Sequence, residues 1–268
     1  MSGLSADDVM AFIEQGWCRL PGAFTAGQAR AARQVIWARM QEKRGIVEDD
    51  PSTWPPAYDI EEIRSEPEIV DCFTDAVAEA VTALVGRDRW TGERRWGFWP
   101  VNFHFGAGEQ TRWPDWGWHV DGNWFQHTID SPRQGLLVIG LFSDVAPGGG
   151  GTIVAGGSHR RTARVLAAHP DGLEHRRLFD RVLSEPIGNF TELTGAAGDV
   201  VLAHPFLFHT RGYKRSGPPR FISNTEAPLR EPLKLYRDDG DFSPVERAIL
   251  AALDEVPTLP ADAMLCRF

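Results

Sequence analysis

The residues best suited to chemistry sit in Trp118-His119-Val120-Asp121-Gly122. On an extended chain, side chains two apart point to the same side, so His119 and Asp121 could both reach one metal ion. Such a pair arises readily by chance, and its meaning depends on a third ligand from elsewhere. His209, at the end of Phe206-Leu207-Phe208-His209, is the best candidate. His204 competes, but its spacing of five from His209 puts the two on opposite faces of an ordinary strand, although Pro205 disturbs that count. Two imidazoles and one carboxylate on one face of an octahedron hold Fe(II) and leave three positions open, the arrangement of the non-haem iron oxygenases.

The elements that must position these residues change character along the chain. Ser5 with Asp8, and Thr25 with Gln28, read as capped helix starts. Apolar residues follow at helical spacing, with Phe12 and Ile13 in the first stripe and Ala29, Ala32, Ile36 and Met40 in the second. Gly16 ends the first helix, and Trp17–Leu20 reads as a short strand before Pro21-Gly22. Ser65-Glu66-Pro67-Glu68 predicts one long helix running through Ile69, Phe73, Val77, Val81 and Leu84 to a stop at Gly86. Beyond Gly86 short extended runs replace this rhythm. Examples are Trp96–Phe105, Leu136–Phe142, Thr152–Ala155, Val200–Ala203, Phe206–Thr210 and Phe221–Asn224, separated by glycine turns. A short helix is expected within 172–183, and a last one from Ser243 to about Leu253. Helices followed by many short strands predict an α+β fold with a jelly-roll core and flanking N-terminal helices. The expected organisation is one domain over 1–268. Within it, 1–90 forms a helical scaffold, 91–230 the β core and 231–268 a C-terminal helical segment.

Composition narrows the function. The chain has 268 residues, 42% hydrophobic and 24% charged, which is enough to bury a large core. A formal net charge of -9 argues against nucleic acid or an anionic membrane surface as partner. No apolar run approaches the length of a membrane span. Cys18, Cys72 and Cys266 lie far apart without a CxxC, which suits a reducing cytoplasm better than a disulfide framework. The start of the chain also lacks the basic and apolar blocks of a signal peptide.

The order of motifs adds a resemblance. His119-Val120-Asp121, the glycines at 148–151, Gly156-Gly157-Ser158-His159, Gly198-Asp199, His209 and Arg220 follow one another as in the phytanoyl-CoA dioxygenase family of Fe(II)/2-oxoglutarate oxygenases, which the chain resembles from about Gly16 to Asn224. Gly156 stands where the family has proline. The resemblance implies a cupin-like double-stranded β-helix. It makes His119, Asp121 and His209 the ligands of Fe(II), and Arg220, eleven residues past His209, the anchor for the distal carboxylate of 2-oxoglutarate. A guanidinium suits that task because it stays charged and grips both carboxylate oxygens in a planar fork. O2 is then the second co-substrate, a small-molecule metabolite the substrate, and succinate and CO2 the by-products.

Further candidates follow from strand parity. Asn102 and His104 share a face on the strand before the His-x-Asp pair. If that face is inward they could bind 2-oxoglutarate or substrate, or form a satisfied polar pair in the core. Thr152, after the glycine turn, is a similar candidate. Trp113, Trp116, Trp118, Trp124 and Phe125 bracket the pair, and the 106–117 loop between glycines reads either as a lid or as aromatic packing. Two other functions compete: a metal-dependent cupin-like isomerase or hydrolase, and a non-catalytic binding barrel. Arg220 speaks against the first, which needs no carboxylate anchor. The complete ligand set speaks against the second.

Overall fold

The computed structural model describes residues 3–254; Cys266 and the end of the C-terminal segment lie outside this range. The N-terminal helices form where the capping pattern predicts. Helix α1 (Ala6–Gln15) begins in a reciprocal Ser5–Asp8 capping box and ends at Gly16. Helix α2 (Ala26–Arg44) begins in the Thr25–Gln28 box. Between them, strand β1 (Trp17–Leu20) is part of a sheet rather than of a separate scaffold.

The long helix predicted from Ser65 is instead two helices. A single turn, α3 (Pro67–Val70), is followed by α4 (Asp75–Val85). Thr74 separates them. Its hydroxyl caps α4 at Val77 N and donates 2.7 Å to Ala23 O, so tertiary contact outweighs the continuing helical period. Ahead of α3, strand β2 (Ala57–Ile60) pairs antiparallel with β3 (Trp99–Asn102), an element with no periodicity to announce it.

The remaining strands are β4 (Leu137–Leu141), β5 (Thr152–Ala155), β6 (Phe190–Glu192), β7 (Val200–Ala203), β8 (His209–Arg211) and β9 (Ile222–Glu226). They form a four-stranded antiparallel sheet in the order β1-β7-β4-β9 and a three-stranded one in the order β6-β5-β8. Side-chain alternation divides the core. Leu137, Ile139 and Leu141 of β4 join Val201, Ile222 and Val154 in a cluster shared by both sheets. Val138, Val200 and Leu202 face the other way, into the larger core built with α1, α2 and α4.

Three further helices complete the fold: α5 (Ser158–Ala167), α6 (His175–Val182) and α7 (Pro244–Asp254). Helix α5 occupies the segment read as a turn. Its buried residues include Ser158, His159 and Thr162, so a partly polar face is what it packs inward. No helix among the described residues is long and apolar enough to cross a membrane.

Candidate active site

His119, Asp121 and His209 meet where the chain after the 106–117 loop runs beside β8. His119 and His209 form an isolated antiparallel bridge, each backbone N–H donating to the other's carbonyl at 3.0 and 2.9 Å. This pairing puts the two imidazoles side by side, with ring centroids 4.4 Å apart. Asp121 Oδ1 lies 3.4 Å from His119 Nε2 and 3.5 Å from His209 Nε2. The three donor atoms all lie within 4.8 Å of one another, close enough to share one metal ion. Backbone carbonyls orient both rings. His119 Nδ1 is 2.7 Å from Gly117 O, and His209 Nδ1 is 3.1 Å from Leu207 O. With Nδ1–H donating there, each Nε2 presents a lone pair to the centre, as metal-binding histidines require. Nε2 of His209 is buried and has no hydrogen-bond partner, so its lone pair is free for a metal ion.

Burial alone would raise the pKa of the Asp121 carboxyl, but the imidazoles of His209 and His119, when they carry protons, outweigh it and hold the group well below the usual carboxylate range. Gly122, at a φ of 108°, lets the chain turn immediately after this ligand, where a Cβ would lie 2.4 Å from the Phe125 ring.

Arg220 lies deeper. It is 1% exposed, and its Nε and Nη1 are buried without hydrogen-bond partners. Burial, with Arg211 as a like-charged neighbour, pushes its guanidinium down to about 9. Its backbone pairs with Asn102, donating 2.9 Å to Asn102 O and accepting 3.0 Å from Asn102 N. A buried cation with free donors is costly unless an anion meets it. A carboxylate of 2-oxoglutarate would supply such an anion, so the chemistry of this site fits the co-substrate.

Asn102 and His104 part company. The Asn102 side-chain amide is fully buried and engaged on the backbone. Its Nδ2 donates to Gly212 O at 3.0 Å and Gly150 O at 3.5 Å, and its Oδ1 accepts from Phe105 N at 3.1 Å. Gly150 is required here, since a Cβ would lie 2.6 Å from Asn102 Nδ2. The last of these bonds turns the chain out of β3, so parity stops at Asn102 and His104 is exposed rather than inward. Thr152 is buried, with Arg211 as its register partner. His204 is no ligand either, because β7 ends before it and β8 begins after it in the other sheet. It is 1% exposed between the Phe12 and His159 rings, with its Nδ1 accepting from Phe206 N at 3.1 Å.

The tryptophans divide. Trp118 stacks on Phe190 with ring centroids 4.7 Å apart, and Trp113 meets the same ring at 6.3 Å. Arg215 ties the 106–117 loop down by donating to Glu109 O and Thr111 O at 2.8 and 2.6 Å. Trp124, 63% exposed, instead lines a cleft of about 470 Å³ that opens over His119 and Asp121.

Sequence reasoning missed several residues that strand parity would have found. Arg211, two past His209 on β8, pairs with Asp59 of β2. Asn224 and Glu226, four and six past Arg220, share a face with Ile222 and line the cleft.

Residues 12–222 match the family model of phytanoyl-CoA dioxygenase. With a cluster that could hold a metal ion and a buried guanidinium with unpartnered nitrogens in this fold, the class is that of the Fe(II)/2-oxoglutarate-dependent dioxygenases, and the chain belongs to the phytanoyl-CoA dioxygenase family. Its cofactor is iron and its co-substrates are 2-oxoglutarate and O2.

Solved structures with the same fold agree. The α-ketoglutarate-dependent carbocyclase SnoK from nogalamycin biosynthesis is 19% identical, with 85% of this chain and 86% of that one covered and a TM-score of 0.54. The epimerase SnoN, in complex with Fe3+, α-ketoglutarate and nogalamycin RO, is 16% identical, with 96% and 91% covered and a TM-score of 0.53. EctD from S. alaskensis, with 2-oxoglutarate and 5-hydroxyectoine, is 18% identical, with 84% and 76% covered and a TM-score of 0.53. No curated protein matches the sequence.

Proposed function

We propose that this oxygenase hydroxylates a small-molecule metabolite, with His119, Asp121 and His209 as the Fe(II) ligands and Arg220 as the 2-oxoglutarate anchor. The two sheets form the halves of a double-stranded β-helix, the jelly-roll core of a single domain. A cytoplasmic setting suits the two buried free thiols, Cys18 and Cys72. The observation that carries this reading is the guanidinium of Arg220, buried with donors unmet in a chain that also brings together a cluster that could hold a metal. A metal-dependent isomerase or hydrolase has no use for it, which favours the oxygenase.

Iron with 2-oxoglutarate supplies oxidation of a C–H bond by O2, releasing succinate and CO2. The chain's own residues hold and orient. Gly117 O and Leu207 O fix the imidazole tautomers. Asn102 clamps the backbone of Arg220 without a free side-chain group to offer, and Thr152 lines the co-substrate pocket beside Arg211. SnoN and EctD are described with small molecules bound, nogalamycin RO and 5-hydroxyectoine, and a small-molecule substrate carries over to this chain as part of the proposal.

The test is anaerobic titration of the Fe(II)-loaded protein with 2-oxoglutarate. A weak visible charge-transfer band is expected, present in the unaltered protein and absent in His209→Ala. Iron binding without such a band would sink the oxygenase reading in favour of the isomerase.

A further inference from the structure

The cleft over His119 and Asp121 offers a substrate carboxylates and π faces, and a single guanidinium among the described residues of its lining. Its volume of about 470 Å³ suits a molecule of drug-like size. Three large apolar side chains stand exposed around it: Trp124 at 63%, Ile63 at 61% and Phe98 at 36%. Large hydrophobic groups left in water around a concave site mark a surface waiting for a ligand.

The formal charges of the lining are one-sided, with Glu61, Glu62, Asp121 and Glu226 against Arg95. Asn224 projects from β9 with its Oδ1 buried and unpartnered, an acceptor without a donor. Glu61 has no ion pair among the described residues. Glu226 shares a single guanidinium, that of Arg95, with Glu93, both carboxylates lying 2.9 Å from it. Glu62 is already neutralised by Arg39 at 2.5 Å and Arg64 at 2.7 Å. Arg95 is thus the one cation in the lining, and both its terminal nitrogens are engaged. Outside the lining, Arg211 is held by Asp59, and Arg220 is the group assigned to the co-substrate.

We infer that the substrate is an amine-bearing organic cation with an apolar ring or chain face, and not an anionic acyl-CoA thioester. This rests on the proposed iron site. The ammonium would lie among Glu61, Glu226 and Asn224 Oδ1, where carboxylates favour it. The Trp124 and Phe98 rings add attraction through their faces. A polyphosphate group would instead meet the unpaired carboxylate of Glu61 and two carboxylates, Glu93 and Glu226, with one guanidinium between them, and the net charge of -9 opposes its approach.

The experiment uses the full chain loaded with Mn(II) and 2-oxoglutarate, and reads paramagnetic broadening of probe proton signals. Three probes share one ring and differ in charge: tryptamine, indole-3-ethanol and indole-3-propionate. Octanoyl-CoA is the fourth. Tryptamine should bind about tenfold more tightly than indole-3-propionate, the combined size of a partly exposed ion pair and a cation–π contact. Octanoyl-CoA should show no broadening. Glu61→Lys with Glu226→Lys should invert the order, and the milder Glu61→Gln, on an exposed residue, should narrow it.

Equal or stronger broadening of the anions, an unchanged order in the variants, or no broadening of any probe would overturn the inference. Mn(II) binding is checked separately by electron paramagnetic resonance. If it is absent, or survives in Asp121→Ala, the iron-site reading falls and this inference with it. Mn(II) binding with the wrong probe order removes this inference alone.

Discussion

Replacing Arg220 tests the co-substrate pocket from two sides at once. Arg220→Lys keeps the charge and loses the fork, so one of two charged hydrogen bonds to the carboxylate goes. Such a bond is worth about 1.5–3 kcal/mol, or roughly a 10- to 150-fold weaker 2-oxoglutarate affinity, with iron affinity little changed. Arg220→Met removes the charge altogether. In the protein without co-substrate, the guanidinium is 1% exposed with two nitrogens unpartnered, so it opposes folding. An apolar replacement should raise apo stability by about 1–4 kcal/mol, the range seen when buried charges give way to packed hydrophobic groups. At about 2–4 °C per kcal/mol, the melting temperature should rise by several degrees. Adding 2-oxoglutarate should then stabilise the unaltered metal-loaded protein and leave Arg220→Met unmoved. Calorimetry with and without 2-oxoglutarate, beside anaerobic titration of the visible band, provides both readouts. Unchanged 2-oxoglutarate dependence in Arg220→Lys, or a less stable apo Arg220→Met, would refute the reasoning.

Three other outcomes follow from the geometry. His209→Ala should abolish metal binding, whereas His204→Ala should keep the visible band and lower the melting temperature, because His204 packs between Phe12 and His159; the reverse pattern would reassign the ligand. Burial holds His127 and His159 down to about 4 and His204 well below its ordinary value, so the folded state favours their neutral forms. Their stabilising effect is complete above about pH 6.5 and is lost as pH falls towards 4, by at most about 3 kcal/mol for each of the first two. Denaturant midpoints measured across that window should fall less in His127→Gln than in the unaltered protein. Finally, with Asp121 as the proposed carboxylate ligand, a chloride ion has no place on the iron, so turnover in chloride buffer should add oxygen or remove two hydrogens. A chlorinated product in the mass spectrum would mean that Asp121 does not bind iron.

Local rules carried the reading a long way. The Ser5 and Thr25 capping boxes, the Gly16 stop and the β1 strand are where the chain's chemistry predicts them. His119, Asp121 and His209 converge as their types and parity suggest. The misreadings have tertiary causes. Thr74 breaks a periodic helix by reaching Ala23 O, and α5 hid because its inward face carries Ser158, His159 and Thr162 rather than an apolar stripe. His104 leaves the inward face because the Asn102 side chain turns the chain at Phe105. Asp59 and Arg211 lie far apart in sequence, on β2 and β8 of different sheets, and meet only in the folded chain.

Strand β1 has a consequence for how the protein can be cut or carried as a fragment. It is the outermost member of the β1-β7-β4-β9 sheet, pairing Trp17–Leu20 with Ala203–Val200. A chain begun after Pro21 would retain every candidate ligand and lose that strand. Strand β7, fully buried and apolar, would then present a row of unsatisfied N–H and C=O groups to solvent. Such an open edge is a template for pairing with another chain. Removal of the first 21 residues should therefore cause self-association before it affects iron binding, and the short N-terminal strand acts as the guard that keeps this sheet from adding a second molecule.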